Sequence, residues 1–358
     1  MSDVKNGKRL TYFSRRTLMD AVERARDEIE RLCASDEYDQ EGHRPCDLVP
    51  DFGTDDEGIQ RDVDYTDPLT QAFYVWRYTL GYGYEYFRAY QEILEREIPR
   101  KELSVVSVGC GTGIDYWALD YALRCAEDWD RSETRISYVG IDLIDWSAHA
   151  FRLLKNDRLA GSRYVYGRDA VEYLCGGEGG DPLSGADVVM FPKSILEIDA
   201  ESLARLADAM ARRTGGWMYA VICPPQDTVG ADRIWASGGK PTNRAVWQPG
   251  VEGHVEAFVS RLRRSYDVHP GIPGIPQNET LGALDKLFGV PREIGDRKRR
   301  GFHELCPRWD ACDQKRSSRF IDCGWECRAM DHSPIGTAKY VCYEVLTLVR
   351  MGDEGVAR

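Results

Sequence analysis

The stretch Leu103-Ser-Val-Val-Ser-Val-Gly-Cys-Gly-Thr-Gly-Ile-Asp115 decides the fold. Residues 103–108 form a short run with apolar residues on both faces, which predicts a strand buried inside a parallel sheet. Glycines at 109, 111 and 113 then allow a tight turn and let the backbone approach a ligand closely. From Asp115 to Ala126 the pattern predicts a helix. Strand, glycine turn and helix open an α/β sheet, whose ligands bind beyond the carboxyl ends of its strands. Alone, such a loop is also an ordinary strand-to-helix turn.

Working outward, the same alternation continues. Strands are predicted at Ile136–Asp142, Arg163–Tyr166, Ala186–Phe191 and Trp217–Cys223. Helices are predicted at Ser147–Asn156, Ala170–Leu174 and Ala200–Arg213. The fold class is α/β, a Rossmann-like parallel sheet covered by helices on both faces. Near the end, Trp325–Met330 and Tyr340–Val349 predict an antiparallel hairpin, and Val255–Tyr266 and Leu281–Leu287 predict helices. Before the sheet, Ser14 is a candidate cap for a helix reaching Leu32, followed by a polar loop over Ala34–Asp64. A second helix is expected from Asp67 to Glu97, with a break near Gly81 and Gly83. Its tyrosines either pack on a core or cover a ligand pocket as a lid. The expected organisation is a helical region over 1–100 and a cofactor-binding core over 101–225. An inserted substrate region over 226–322 and closing strands over 323–352 follow.

The glycine spacing is G-x-G-x-G, where a dinucleotide site has G-x-G-x-x-G. Asp115 is unsuited to a pyrophosphate but suited to the cationic amino group of a methionine-like tail. Asp142 ends the second strand, where a carboxylate accepts protons from ribose hydroxyls. Asp169 follows the third strand, where it can accept from an adenine amino group. Each acid has a second reading as a helix cap.

With these residues in place, the chain resembles the class I S-adenosylmethionine-dependent methyltransferases over residues 103–223. Val105–Asp115 is similar to that family's first motif, Val139-Gly-Ile-Asp142 to its ribose-binding strand end, and Arg168-Asp169 to its adenine-contacting turn. The terminal hairpin fits the family's antiparallel last strand. The resemblance implies S-adenosyl-L-methionine as cofactor, with Gly109, Cys110, Gly111 and Gly113 around its methionine part, Asp142 on the ribose and Asp169 near the adenine. Two departures stand out. Ser107 takes a position that is usually acidic, so that its hydroxyl or Asp115 must hold the amino acid tail, and the segment Glu127–Thr134 is long.

The acceptor is less defined. Lys193, Ser194 and Glu197 follow the fourth strand, where the family places acceptor-orienting residues. Helix capping and surface charge are the alternative reading. The Asn/Asp-Pro-Pro-aromatic motif of amide and base methylation is absent, and a lone Cys223 is not the paired arrangement of cytosine C5 methylation on RNA. In-line methyl transfer from a sulfonium is driven largely by orientation, so no universal catalytic residue is expected.

Cys306, Cys312, Cys323 and Cys327 have the spacing C-x5-C, ten residues, C-x3-C, with His303 and His332 in reserve. Four such ligands hold zinc or an iron–sulfur cluster, or are unrelated thiols. This set also loosely resembles that of the methyltransferase-like family of mitochondrial small-ribosomal-subunit assembly.

Composition narrows the rest. A net charge of −12 argues against general nucleic-acid binding, and the one dense basic run, Arg292–Arg300, reads as a solvated loop. Eleven scattered cysteines do not form a disulfide framework. Neither a secretory signal nor a membrane span is evident, so the expected compartment is the cytoplasm. The leading expectation is a methyltransferase acting on a small molecule or protein side chain, with RNA third. The alternative is a catalytically degenerate binding or assembly factor on the same fold. A nicotinamide oxidoreductase is disfavoured by the glycine spacing.

Overall fold

The computed structural model describes residues 16–33, 35, 63–97, 99–129, 133–153, 162–177, 181–213, 216–223, 249–270 and 343–351. The chain divides into two compact units, residues 15–82 with 277–339, and residues 83–276 with both chain ends.

In the first unit, α1 (Thr17–Cys33) buries Leu18, Ala21, Val22, Ala25 and Ile29, the face its periodicity predicts. Its expected cap, Ser14, lies outside the described residues. Helix α2 (Pro68–Arg96) begins in this unit. Asp67 Oδ2 accepts from the Thr70 amide at 2.7 Å, and Pro68 fills the first position. Tyr74, Tyr78 and Tyr82 stand one turn apart, with ring centroids 5.0 and 4.9 Å apart. The expected break at Gly81 and Gly83 does not occur. Nearly every side chain from Tyr78 to Phe87 is buried, and packing outweighs the glycine penalty of about 1 kcal/mol each.

The second unit holds the rest of α2 and a seven-stranded sheet of order β3-β2-β1-β4-β5-β7-β6. Its strands are β1 (Glu102–Val108), β2 (Arg135–Asp142), β3 (Arg163–Tyr166), β4 (Val188–Pro192), β5 (Trp217–Cys223), β6 (Tyr266–Pro270) and β7 (Glu344–Arg350). β1 to β5 are parallel. β7 is antiparallel to both of its neighbours, so β6 runs with β1–β5. The helices are α3 (Ile114–Cys125), α4 (Ala170–Gly176), α5 (Ala200–Ala211) and α6 (Pro249–Leu262). Val106, Val108, Ile141, Val189, Phe191 and Ile222 share one core with Leu206 and Met210 of α5 and Phe258 and Leu262 of α6. Strand alternation turns Ser107 and Tyr138 to the other face, where α3 lies. There the second half of α2 meets α3 at Phe87–Tyr121, centroids 5.4 Å apart, and Trp129 Nε1 donates to the Leu94 carbonyl.

Two expectations are corrected. The terminal strand pairs outward with β6, where a helix was expected to continue through Tyr266. Tyr266 instead starts an alternating strand and donates its hydroxyl to the Met210 carbonyl at 2.6 Å. The expected hairpin partner, Trp325–Met330, lies outside the described residues, as does Leu281–Leu287. Residues 147–149 form a turn rather than the start of a helix. Tertiary partners take the backbone groups here: Phe151 N donates to the Thr112 carbonyl, and the Phe151 carbonyl accepts from Tyr164. No described helix is long and apolar enough to cross a membrane.

Candidate functional site at the carboxyl ends of the strands

The glycine loop leaves β1 and is fixed at once to β2. Gly109 N and Cys110 N both donate to the Ile141 carbonyl, at 2.8 and 3.0 Å. Gly109, Gly111 and Gly113 all have positive φ. Two of them are also crowded: a Cβ on Gly109 would strike Ser194, and one on Gly113 would strike the Tyr164 ring. A Cβ on Gly111 would meet nothing within 4 Å, so this point of the loop faces open space. That is the room a ligand needs.

Asp142, at the end of β2, spans the loop. Its Oδ2 accepts from Gly111 N at 2.7 Å and its Oδ1 from Ile144 N at 2.9 Å. It is half-buried, and burial pushes its pKa above the usual carboxylate range. The β3 tyrosines brace the loop from the sheet edge. Tyr166 donates its hydroxyl to the Gly111 carbonyl at 3.0 Å, and its ring stacks on Tyr164 at 5.3 Å.

Asp115 sits in the first turn of α3 with its carboxylate turned inward. It is fully buried, and the Tyr138 hydroxyl lies 2.9 and 3.0 Å from its two oxygens. Burial raises its pKa to about 6, against the lowering effects of Ser107, Tyr138 and the α3 amides. Ser107 is buried beside this pair, and its Oγ completes no well-formed hydrogen bond among the described residues. Cys110 is buried, and desolvation raises its thiol pKa, with Asp142 and Asp115 adding to the effect. Asp169 is exposed and caps α4, its Oδ1 accepting from Glu172 N at 2.8 Å.

The segment after β4 packs directly on the loop. Lys193 adopts a left-handed backbone, φ 70°, which is uncommon for a side-chain-bearing residue. Its amide donates to the Phe191 and Cys223 carbonyls, at 3.0 and 2.9 Å. Its ammonium pairs with Glu85 of α2, and both side chains are buried. The Ser194 hydroxyl bonds the Val108 carbonyl. Glu197 ends the 3-10 turn Ile195–Glu197. Its side chain is exposed. Partial desolvation by the neighbouring protein, with the charge of Asp142 second, raises its pKa to about 7. His254 pins the turn: its Nε2 lies 3.0 and 2.6 Å from the carbonyls of Ile195 and Ile198, so that nitrogen carries the proton.

The structure therefore gathers Ser107, the glycine loop, Asp115, Asp142, Ser194 and Glu197 at the carboxyl ends of β1, β2 and β4. The cysteines at 306, 312, 323 and 327 lie outside the described residues. Sequence reasoning did not single out Glu85, Tyr138, Tyr164 or Tyr166. Tyrosines at 164 and 166, two apart on one strand face, carried the clearer local signal. Glu85 carried a weaker one, as an acid amid an aromatic helix.

A parallel sheet with an antiparallel last strand, a glycine loop after β1 and an acid closing β2 settles the architecture. This is a Rossmann-like α/β architecture. No protein-family model and no curated protein matches the chain. Solved structures similar to it include the plantazolicin methyltransferase BpumL with a monoazolic desmethylPZN analog and SAH, at 12% identity and TM-score 0.37, covering 93% of this chain and 99% of that one. A cyclopropane-fatty-acyl-phospholipid synthase-like protein from Lactobacillus casei is 12% identical, with TM-score 0.35, covering 75% and 92%. A SAM dependent methyltransferase from Archaeoglobus fulgidus is 17% identical, with TM-score 0.31, covering 74% and 94%. Identities this low say nothing of the acceptor.

Proposed function

We propose that this chain is an S-adenosylmethionine-dependent methyltransferase whose donor lies over Gly111, at the switch point where the strand order reverses between β1 and β4. The observation that carries the reading is the Asp142 carboxylate, held at the open point of the loop by Gly111 N and Ile144 N. The donor set fits the group. Asp115, Asp142 and Glu197 give the site negative charge, which suits a cationic sulfonium nucleoside and opposes a pyrophosphate. Asp142 would hold the ribose hydroxyls, and the glycine backbone would line the methionine portion. The bound group supplies an activated methyl on sulfur for in-line displacement by an acceptor.

The protein's share is to bind, orient and move a proton. Glu197 is exposed and close enough to Asp142 to feel its charge, and it is the candidate base for an acceptor that arrives with a proton on its nucleophile. Ser194 fixes the β4 turn against the loop, and the Lys193–Glu85 pair fixes α2 to the same turn. The reading favours a small molecule or a protein side chain as acceptor, and the net charge of −12 weighs against RNA. Calorimetry with S-adenosylmethionine, S-adenosylhomocysteine and NAD tests it. Micromolar binding of the first two and none of NAD is expected; a chain that binds neither sulfur ligand is not this enzyme.

A further inference from the structure

Two costs meet at one residue after β4. Lys193 holds a left-handed backbone, φ 70°, a conformation that a glycine takes without strain. Its ammonium is also buried, 7% exposed, against the fully buried Glu85 carboxylate. Glu85 stands in α2 among Tyr84, Tyr86 and Phe87, all buried. A buried ion pair is often no better for stability than apolar side chains of the same size, which would demand no fixed geometry. Strained residues persist where their surroundings over-determine them. Here the Phe191 and Cys223 carbonyls accept from Lys193 N at 3.0 and 2.9 Å, while Glu85 holds the side chain. The next residue, Ser194, bonds the Val108 carbonyl and lies so close to Gly109 that a Cβ there would collide with it. A shift of Lys193 is therefore passed to the first glycine of the loop.

On the methyltransferase reading, we infer that the Glu85–Lys193 pair couples the seating of α2 to the shape of the donor-binding loop. Both are positioning residues. The pair is directional: it keeps Lys193 left-handed, Ser194 on Val108 and Gly109 in place while the second half of α2 is docked. With the pair broken, Lys193 relaxes toward an ordinary backbone and Ser194 draws away from the loop. Lys193, expected in the acceptor pocket, thus acts through Ser194 rather than on the acceptor. Coupling of this kind is reciprocal. Donor binding tightens the hold on α2 by the same factor that a docked α2 tightens donor binding.

The test pairs calorimetry with hydrogen exchange on the full chain, with S-adenosylhomocysteine as the probe. In wild type the probe should slow exchange of the α2 amides over 83–96 by about tenfold. Glu85→Leu with Lys193→Met removes the charges and keeps an apolar contact, so it separates coupling from stability. It should melt close to wild type, bind the probe about tenfold more weakly and lose most of the added protection. Glu85→Asp keeps the charge on a shorter side chain and should fall between the two. Tyr266→Phe, which removes the bond to Met210 on the edge strand β6, should cost stability and leave both readings unchanged. A double variant that keeps either the affinity or the protection overturns the proposal, as does wild type whose α2 ignores the bound probe. The donor reading survives these results. Should the double variant not fold, Glu85→Asp decides, with a severalfold loss of affinity expected and no loss fatal to the proposal. Wild type that does not bind the probe removes both.

Discussion

Ionising Asp115 costs the folded chain stability, and the sign follows from where its proton goes. The folded pKa is raised to about 6 from the 3.8 of an exposed aspartate. Between those values the folded state keeps a proton that the unfolded state has lost, so stability falls as pH rises from about 4 to about 6 and stays lowered above that. Keeping that carboxylate ionised in the fold costs on the order of 3 kcal/mol. Asp115→Asn is therefore expected to melt higher, relative to wild type, at pH 8 than at pH 4. Melts at the two pH values check this; an equal difference at both would assign the effect to something other than charge. Glu197 gives a kinetic counterpart. With saturating donor and a proton-bearing acceptor, the transfer rate should rise with pH through about 7. Glu197→Gln should flatten that profile and lower its plateau by about 10² or more. At this scale Gly109–Gly113 and Asp142 were legible, because one segment contains the whole loop and one strand end places the acid. The inward turn of Asp115 was not. Its hydrogen-bond partner Tyr138 comes from another strand, and no local spacing encodes it.

The glycine loop is an element held from three sides, and its glycines differ in what holds them. Gly111→Ala should cost only the left-handed backbone strain, roughly 1–2 kcal/mol, yet abolish donor binding by filling the open space over the loop. Gly113→Ala carries the same strain plus the collision with Tyr164, so it should be the less stable of the two. Urea titration with a donor-binding assay separates them; a Gly111→Ala protein that binds donor normally would place the ligand elsewhere. The turn after β4 has its own lock. Glu85→Gln removes the carboxylate charge that faces the buried Lys193 ammonium, at a cost of about 3–5 kcal/mol. Glu85→Leu with Lys193→Met should recover most of that loss in the same titration. Among the elements, the strands were legible from their continuous apolar runs. The segment after β2 misled, since its apolar residues suggest a helix while its backbone partners belong to the loop at Thr112 and to Tyr164 on β3. β6 was absorbed into α6 because Tyr266 continues the apolar face of the preceding helix.

At the scale of the molecule, a ligand that binds only the folded chain stabilises it by mass action. S-adenosylhomocysteine at a hundred times its Kd should add about 2.7 kcal/mol, and NAD at the same concentration nothing. A melting scan with both reads this directly, and equal shifts would remove the preference for a sulfonium nucleoside. The order of the sheet has another consequence, for synthesis. Among the described residues β7 stands between β5 and β6 and hydrogen-bonds to both. The ribosome delivers β5 and β6 first and β7 only after residues 271–343 have followed. Until then the growing chain carries two open strand edges, the kind that pair with other chains. The nascent protein is thus most exposed to aggregation while residues 271–343 are being made. A chaperone that shields β5 over that interval would raise the yield of folded chain without touching the finished protein.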